Sequence, residues 1–320
     1  MRVRYALFIL LLAGCAGPSG IAPAPSPTRT VSVTPEVGIT SSPPTASTAA
    51  SPAPPSGAAP KPVEQPPPAT ADAPPPPEAT PRQAPGNTPA DQPPSGASWQ
   101  VQYTGPLTTA GARIVDIDGA DSSKEVVSQI RSAGGYAVCY FNAGAFEDWR
   151  SDASRYPAQL LGRSMAGWPR ERWVDIRRLD ELMPILEQRM DLCRSKGFQA
   201  IDPDNVDGWA HDTGFDLTRT DSIRLVRALA EAAHARGLAI GLKNSIEIIG
   251  EVVDTVDFAV NEQCLAHGEC GAYQPFLDRG KAVLHVEYEG SEETVCRARP
   301  EGFSTVIKDQ ALGAERVGCP

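Results

Sequence analysis

The sequence predicts a (β/α)8 barrel in residues 98–320, preceded by a signal peptide and a disordered proline-rich tether. From Trp99 onward, eight short β-rich runs alternate with amphipathic helical stretches, and most of the proline lies before residue 98. Strand alternating with helix implies a parallel sheet, and eight such units in slightly over 200 residues match a TIM barrel near its lower size limit. A doubly wound open sheet is the alternative. No G-x-G-x-x-G or Walker loop supports a nucleotide-binding version of it.

The N-terminus carries a predicted export signal. Two arginines precede the apolar run of residues 5–13, which is too short to span a bilayer. The run ends in Leu12-Ala13-Gly14-Cys15, which resembles a bacterial lipobox with cleavage before Cys15 and lipid on its thiol. We therefore expect residues 1–14 to be a lipoprotein signal peptide and Cys15 to anchor the exported protein at a membrane of the cell envelope. An ordinary secretion signal with an incidental cysteine is the alternative.

Residues 15–97 form the predicted linker. They hold 24 of the 32 prolines and almost no large apolar side chains, so they cannot bury enough surface to offset the entropy of ordering. We expect a semi-extended tether. Acidic and basic residues balance in positions 1–97, so the net charge of -10 belongs to residues 98–320. This charge argues against a nucleic-acid partner and would attract a cationic ligand, although ordinary acidic solubility explains it equally well.

Six cysteines besides Cys15 predict disulfides, because an even number in an exported domain is typical of a disulfide framework. The expected pairs are Cys264–Cys270, which close a short loop, Cys296–Cys319, which pin the C-terminus, and, by elimination, Cys139–Cys193. No zinc-binding spacing occurs, and we expect neither a metal nor a cofactor.

The elements follow from hydrophobic periodicity. The eight predicted strands are Gln100–Thr104, Arg113–Asp118, Tyr136–Asn142, Gln199–Asp204, Ala239–Asn244, Asp257–Glu262, Ala282–Tyr288 and Ser304–Asp309. Predicted helices between them include Ser122–Ala133, Leu179–Lys196, Thr220–Arg236 and Ser245–Val253. Gly197 and Gly237 fall just before strands, where helix C-caps are expected.

Acids at two strand ends are the candidate catalytic residues. In a (β/α)8 barrel the chemistry sits at the C-terminal ends of the strands. The fourth strand ends in Asp202 and Asp204, whose side chains share one face and repel each other. A strand selected for stability alone would avoid this pair, whereas acid/base or glycosyl chemistry needs acids held close together. Glu262, ending the sixth strand, is the natural second acid, and inward-leaning side chains would reach the separation of roughly 5–9 Å that glycosidases use. The alternative for Glu262 is a salt bridge with Lys243 or Lys308, which would lower its pKa.

Other polar strand ends are candidates for substrate binding. The aromatic side chain expected to line the cleft is Trp209, directly after the acidic run, although a single tryptophan more often belongs to a core. The acidic run does not fit a calcium loop, because Val206 is fifth and Gly208 seventh. The predicted substrate-binding residues are Asp116, Asp118, Tyr140, Asp202, Asn205, Trp209, Lys243, Asn261, Glu287 and Tyr288.

Several motifs occur in order along residues 98–320. They are Cys139–Phe141, Glu147–Arg150, Gly167–Pro169, Glu171–Arg177, Asp202–Gly208, Gly241–Asn244, Asn261–Cys264 and His285–Tyr288. Together they resemble glycoside hydrolase family 114, the endo-α-1,4-polygalactosaminidase-like barrels. Asn142 departs from the family pattern, which more often has a small serine there, and Arg170 replaces a small residue.

The resemblance implies a barrel that cleaves α-1,4-linked galactosamine polymers with two catalytic acids. These are Asp204, with Asp202 as the alternative, and Glu262. By analogy Asp204 would be the nucleophile and Glu262 the acid/base. Asp116, Asp118, Lys243, Asn205 and Asn261 would position the sugar. We expect a lipid-anchored monomer whose partner is a cationic aminosugar polysaccharide; a surface polysaccharide-binding barrel without turnover is the alternative.

Overall fold

Eight parallel strands build the barrel. The computed structural model describes residues 90–319. Its strands are β1 (Trp99–Gln102), β2 (Ile114–Asp118), β3 (Tyr136–Asn142), β4 (Ala145–Glu147), β5 (Leu161–Met165), β6 (Trp168–Val174), β7 (Ala200–Asp204), β8 (Ala239–Lys243), β9 (Phe258–Glu262), β10 (Val283–Glu287), β11 (Phe303–Ile307) and β12 (Val317–Gly318). Its α-helices are α1 (Lys124–Ser132), α2 (Leu179–Lys196), α3 (Arg219–Ala235), α4 (Ile249–Val252), α5 (Cys264–His267), α6 (Gln274–Leu277) and α7 (Glu292–Ala298).

The strand order is that of a TIM barrel. The ladder runs β1-β2-β3-β7-β8-β9-β10-β11 with every neighbouring pair parallel. β1 also lies against β11, which nearly closes the ring, and Lys308 Nζ donates to Gln100 Oε1 across this seam at 3.0 Å. The short β12 pairs antiparallel with β11. The predicted (β/α)8 fold is confirmed, and each of the eight predicted strands overlaps a strand of the ring.

The period of two along the strands separates two apolar layers. In β3, Tyr136 and Val138 point into the barrel, where they pack with residues such as Trp99 and Phe258. Cys139 on the same strand faces outward and belongs to the layer between the sheet and the helices. The lumen is therefore filled with side chains, as in other TIM barrels, and the chemistry has room only at one end.

The predicted helices agree with the structure except for the one after β8, the fifth strand of the barrel. Helix α2 buries the predicted face, including Leu186 and Met190, and ends at Gly197, whose φ of 96° lies in the left-handed region. The predicted helix Ser245–Val253 is instead a 3-10 turn followed by the single turn α4. All three expected disulfides are present, namely Cys139–Cys193, Cys264–Cys270 and Cys296–Cys319.

A small antiparallel sheet, β4-β6-β5, was not predicted. It is inserted between β3 and α2, so it follows the C-terminal end of a barrel strand. Arg189 of α2 ties it to the barrel, because its guanidinium donates to Glu147 of β4 at 3.3 Å and to the Asn142 carbonyl of β3 at 2.7 Å. The insertion therefore stands beside the end where TIM barrels carry their sites.

The predicted signal peptide, the lipidation site Cys15 and most of the predicted linker lie outside the described residues. Asp91 and Gln92, inside the predicted linker, already contact the barrel: the Asp91 carbonyl accepts from Tyr136, and Gln92 Nε2 donates to Asp257 at 3.0 Å. In residues 90–319 no helix has the length and apolar character needed to cross a membrane.

Candidate active site

Lys243 lies at the centre of three carboxylates at the C-terminal end of the barrel. Its Nζ is 3.6 Å from Asp204 Oδ1, 3.7 Å from Glu262 Oε2 and 3.9 Å from Asp202 Oδ2. These residues end or nearly end β7, β8 and β9, three adjacent strands. The structure thus brings together both predicted catalytic acids, and it places between them the lysine named as a salt-bridge partner. The other named lysine, Lys308, is at the β1–β11 seam.

Asp204 is held on both carboxylate oxygens. Tyr140 on β3 donates its hydroxyl to Oδ2 at 3.0 Å, and the backbone N–H of Asn205 donates to Oδ1 at 2.9 Å. The side chain of Asp204 is 21% exposed, whereas that of Asp202 is fully buried. Of the two acids on β7, Asp204 is therefore the one that a ligand can reach.

Glu262 is held in the same way from the other side. Tyr288 donates its hydroxyl to Oε1, and Asn244 Nδ2 donates to Oε2 at 3.1 Å. Its side chain is 28% exposed. Each acid thus receives one tyrosine hydroxyl and shares Lys243, which leaves both carboxylates oriented and partly open to solvent.

The pKa values of the pair move in opposite directions. Burial raises the pKa of Asp204, and the lowering by Lys243 only partly offsets it. Burial also raises the pKa of Glu262, but Lys243 and the hydrogen bonds from Tyr288 and Asn244 outweigh it, so the pKa is lowered overall. Burial opposes the charge of Lys243 itself, yet the surrounding carboxylates raise its pKa well above the usual value. Lys243 is therefore charged, while its positive charge and the two hydrogen bonds favour the ionised form of Glu262.

A second pair of acids lies deeper in the barrel. Asp116 and Asp202 are both fully buried. Burial, followed by the negative charge of Asp202, raises the pKa of Asp116 well above its usual value; burial raises that of Asp202 to about 7. Tyr103 stacks on Tyr140 with ring centroids 4.1 Å apart, and burial, followed by the negative charges of Asp116 and Asp202, raises the pKa of its hydroxyl. Because both side chains are fully buried, a sugar cannot contact them directly, and Asp202 faces the site through Lys243, 3.9 Å away.

The backbone turns sharply after all three charged strand ends. Asn205, Asn244 and Gln263 directly follow Asp204, Lys243 and Glu262, and their φ angles are 59°, 46° and 65°. Non-glycine residues rarely adopt this left-handed conformation, and its cost of about 1–3 kcal/mol is commonly found at functional sites. Asparagine tolerates it best. The turn fixes where each charged side chain leaves the barrel.

The structure does not bring every predicted substrate-binding residue to Lys243. Asp118 pairs with Arg150 at 2.6 Å. Asn261 and Glu287 face the helices: Asn261 donates to the Tyr273 hydroxyl at 2.9 Å, and Glu287 accepts from the Leu265 N–H at 2.8 Å. Trp209 lies half-buried on a 3-10 turn after β7. Strand ends alternate between lumen and helix layer, which explains why Asn261 and Glu287 point away.

Sequence reasoning missed Glu171 on β6. Its Oε2 accepts from Asn142 Nδ2 at 3.0 Å. Burial and the negative charges of Glu147 and Asp204 raise the pKa of Glu171 to about 7. The only signal in the sequence was indirect, since Glu171 belongs to one of the motifs and Asn142 departs from the family pattern.

The site can be compared with known proteins. The model of the glycoside-hydrolase family GH114 matches residues 79–320, most of the chain. This chain belongs to family GH114. It is therefore a glycoside hydrolase. No curated protein sequence matches it significantly.

Two solved structures share the fold of this GH114 chain. One is the crystal structure of Ega3 from Aspergillus fumigatus in complex with galactosamine, with 37% identity, a TM-score of 0.69, and a match over 72% of this chain and 98% of the Ega3 chain. The other is the glycoside hydrolase domain of PelA from Pseudomonas aeruginosa, with 17% identity, a TM-score of 0.56, and a match over 70% of this chain and 98% of the PelA chain. At that identity the PelA likeness shows the fold alone.

Proposed function

We propose that this GH114 chain is an exported endo-glycosidase that hydrolyses α-1,4-linked galactosamine-containing polysaccharide through Asp204 and Glu262. The observation that carries the proposal is the pair of partly exposed carboxylates on either side of Lys243 at the C-terminal end of the barrel. The substrate class is supported by the similarity to Ega3, which binds galactosamine in its crystal structure. The surplus of acidic side chains would attract such a polycation.

The two acids have suitable spacing for glycosyl transfer. Each has an oxygen within 3.7 Å of Lys243 Nζ, so these oxygens lie no farther apart than twice that distance. This bound includes the roughly 5–5.5 Å of retaining glycosidases. In the proposed reaction, Asp204 attacks the anomeric carbon while Glu262 gives its proton to the leaving oxygen. Glu262 then removes a proton from the water that releases the sugar from Asp204.

The acid/base role requires a proton on Glu262, whereas Lys243 and the hydrogen bonds from Tyr288 and Asn244 lower the pKa of Glu262. We infer that a bound polysaccharide raises the pKa of Glu262, because covering the site adds to the burial that already opposes its charge. Azide rescue tests the assignment. With an activated α-galactosaminide, Glu262→Ala should give the α-azide and Asp204→Ala the β-azide. The reverse pattern would exchange the two roles.

Hydrolysis itself is tested by release of reducing ends from a deacetylated α-1,4-galactosamine polymer. We expect activity from the full-length protein and losses of about 10²–10⁴-fold in Asp204→Asn and Glu262→Gln. Asp212→Asn, which removes an exposed acid paired with Arg163, is the matched control and should stay active. Full activity in both site variants would overturn the assignment.

We also propose that lipid on Cys15 anchors the protein to an envelope membrane after removal of residues 1–14. The support is the lipobox-like sequence and the proline-rich segment that follows it. The protein should partition with membranes, and Cys15→Ser should move it to the soluble fraction with its activity intact. A wild-type protein found only in the soluble fraction would contradict the anchor.

A further inference from the structure

Glu171 is a buried acid without a balancing cation. Only 9% of the residue is exposed. Within residues 90–319, no lysine, arginine or histidine forms an ion pair with it. Burying an uncompensated carboxylate is costly, and a barrel built for stability alone would avoid it.

The neighbouring acid Glu147, in contrast, has its negative charge balanced by arginines. The two residues are direct partners across the antiparallel strands β4 and β6, where like charges are destabilising. Glu147 pairs with Arg150 at 2.8 Å and with Arg189 at 3.3 Å. Two arginines from outside this strand pair, Arg150 after β4 and Arg189 on α2, thus balance Glu147, and neither forms an ion pair with Glu171.

Glu171 is nevertheless oriented toward the active site. Asn142 Nδ2 fixes Oε2 at 3.0 Å, and Asn142 is the register partner of Asp204 across β3 and β7. In the described part of the chain nothing donates to Oε1, which keeps contact with solvent. One oxygen is therefore held by the register partner of Asp204, and the other stays open to solvent.

We propose that Glu171 binds the ammonium group of a galactosamine unit next to Asp204, and that it thereby selects deacetylated over N-acetylated polymer. The inference rests on the proposed function and specifies which form of the substrate the site accepts. An ammonium supplies the missing cation in a charge-assisted hydrogen bond. An acetamide supplies no charge, and its added bulk would leave Glu171 buried and unbalanced.

The same geometry makes recognition depend on pH. The charged and titratable groups whose electrostatic influence reaches Glu171 are Glu147, Asp204, Tyr140 and Arg150. Burial and the two acids among them raise the pKa of Glu171 to about 7. Below that pH the free protein holds Glu171 neutral, so binding of an ammonium must release a proton.

The test compares kcat/KM of the full-length wild type and Glu171→Gln on fully deacetylated and on partly acetylated galactosamine oligomers. We expect the variant to lose about 10–100-fold on the deacetylated oligomers, the range for a lost charge-assisted hydrogen bond, and to lose its preference between the two substrates. Asp148→Asn, which removes an exposed acid from the same insertion, should change kcat/KM less than about twofold.

Measurements of proton release on binding and of unfolding distinguish a role of Glu171 in ligand binding from a purely structural role. Calorimetry of galactosamine oligomer binding at pH 6 in two buffers should show proton release by the wild type and less by Glu171→Gln. The variant should unfold no more easily than the wild type, because it removes a buried like-charge contact. An active wild type whose Glu171→Gln variant keeps its substrate preference would overturn this inference alone. A wild type that cleaves neither oligomer would instead overturn the proposed function, and the binding comparison would still decide the role of Glu171.

Discussion

Two tyrosine hydroxyls tune the two acids separately. Tyr140 donates to Asp204 and Tyr288 donates to Glu262, and a donor to the charged form lowers the pKa of a carboxyl group. Because each tyrosine contacts a different acid, removing one hydroxyl should move only one limb of the pH profile.

For the proposed roles, Tyr140→Phe should raise the pKa of the nucleophile and shift the acidic limb of kcat/KM to higher pH. Tyr288→Phe should raise the pKa of the proton donor and shift the alkaline limb to higher pH. The profiles are measured with one oligomer and divided by the wild-type profile, which cancels titration of the substrate amines. If neither limb moves, these carboxylates do not control the rate.

Among single residues, those at the ends of barrel strands could be predicted from the sequence, whereas Glu171, on the inserted strand β6, could not. Asp204, Lys243 and Glu262 each follow an apolar run, so the fold class alone placed them at one end of the barrel. Glu171 lies on a strand whose first residues, Trp168 to Arg170, are exposed. Where a strand is exposed on both faces, apolar and polar residues do not alternate along it. The sequence around Glu171 therefore does not indicate that its side chain is buried.

The inserted sheet is an element whose position relative to the barrel depends on close backbone contact. Gly144, between β3 and β4, donates to the Asp204 carbonyl at 3.0 Å, and a Cβ at this position would overlap the Asn205 carbonyl oxygen. The turn after β7 and the turn before β4 therefore fit together only with glycine there.

We predict that Gly144→Ala displaces Asn205 and with it Asp204, lowering kcat by about 10–100-fold, since misplacement by about 1 Å has effects of that size. Gly250→Ala is the matched control: a Cβ there meets nothing within 4 Å, and alanine is the better helix former. Equal activity of the two variants would show that this contact does not position the acid.

The elements themselves were predictable to different degrees for a physical reason. Strands such as β3 and β8 are buried on both faces, so their apolar runs are clear. The helix predicted over Ser245–Val253 is a 3-10 turn followed by the single turn α4, because Asn244 and Ser245 adopt left-handed conformations that postpone the α-helix. That choice depends on the position of Glu262, a contact distant in sequence.

At the scale of the molecule, the disulfides differ in how much chain they restrain. Cys139–Cys193 closes a span of 54 residues and Cys264–Cys270 one of 6. In the chain-entropy model, removing the first should cost about 4 kcal/mol and removing the second about 2 kcal/mol. Unfolding of the paired Cys→Ala variants in guanidinium measures both losses. A larger loss for the short loop would show that packing, not chain restraint, dominates.

The stability of the molecule should fall as pH rises from about 5 to about 8. Burial raises the pKa of Asp202 and of Glu171 to about 7, so the unfolded chain loses these protons at lower pH than the folded protein does, and stability falls until the folded acids ionise. His234, whose pKa is raised by its hydrogen bond with Asp257, stabilises the fold only while protonated and acts in the same direction.

We expect a loss of roughly 2–4 kcal/mol in the free energy of unfolding between pH 5.5 and 8, measured with the disulfides intact. Glu171→Gln should reduce this slope because it removes one of the titrating groups. A stability that increases over this interval would mean that these acids are ionised at little cost in the folded protein.

The three disulfides also give the chain a chemical label. They occupy six of its seven cysteines, which leaves the sulfur of Cys15 as the seventh. Under the proposed anchoring, a maleimide added to the denatured, non-reduced protein should label only chains whose Cys15 thiol carries no lipid. The mass of the unlabelled chains then separates lipid on Cys15 from loss of Cys15 by cleavage elsewhere.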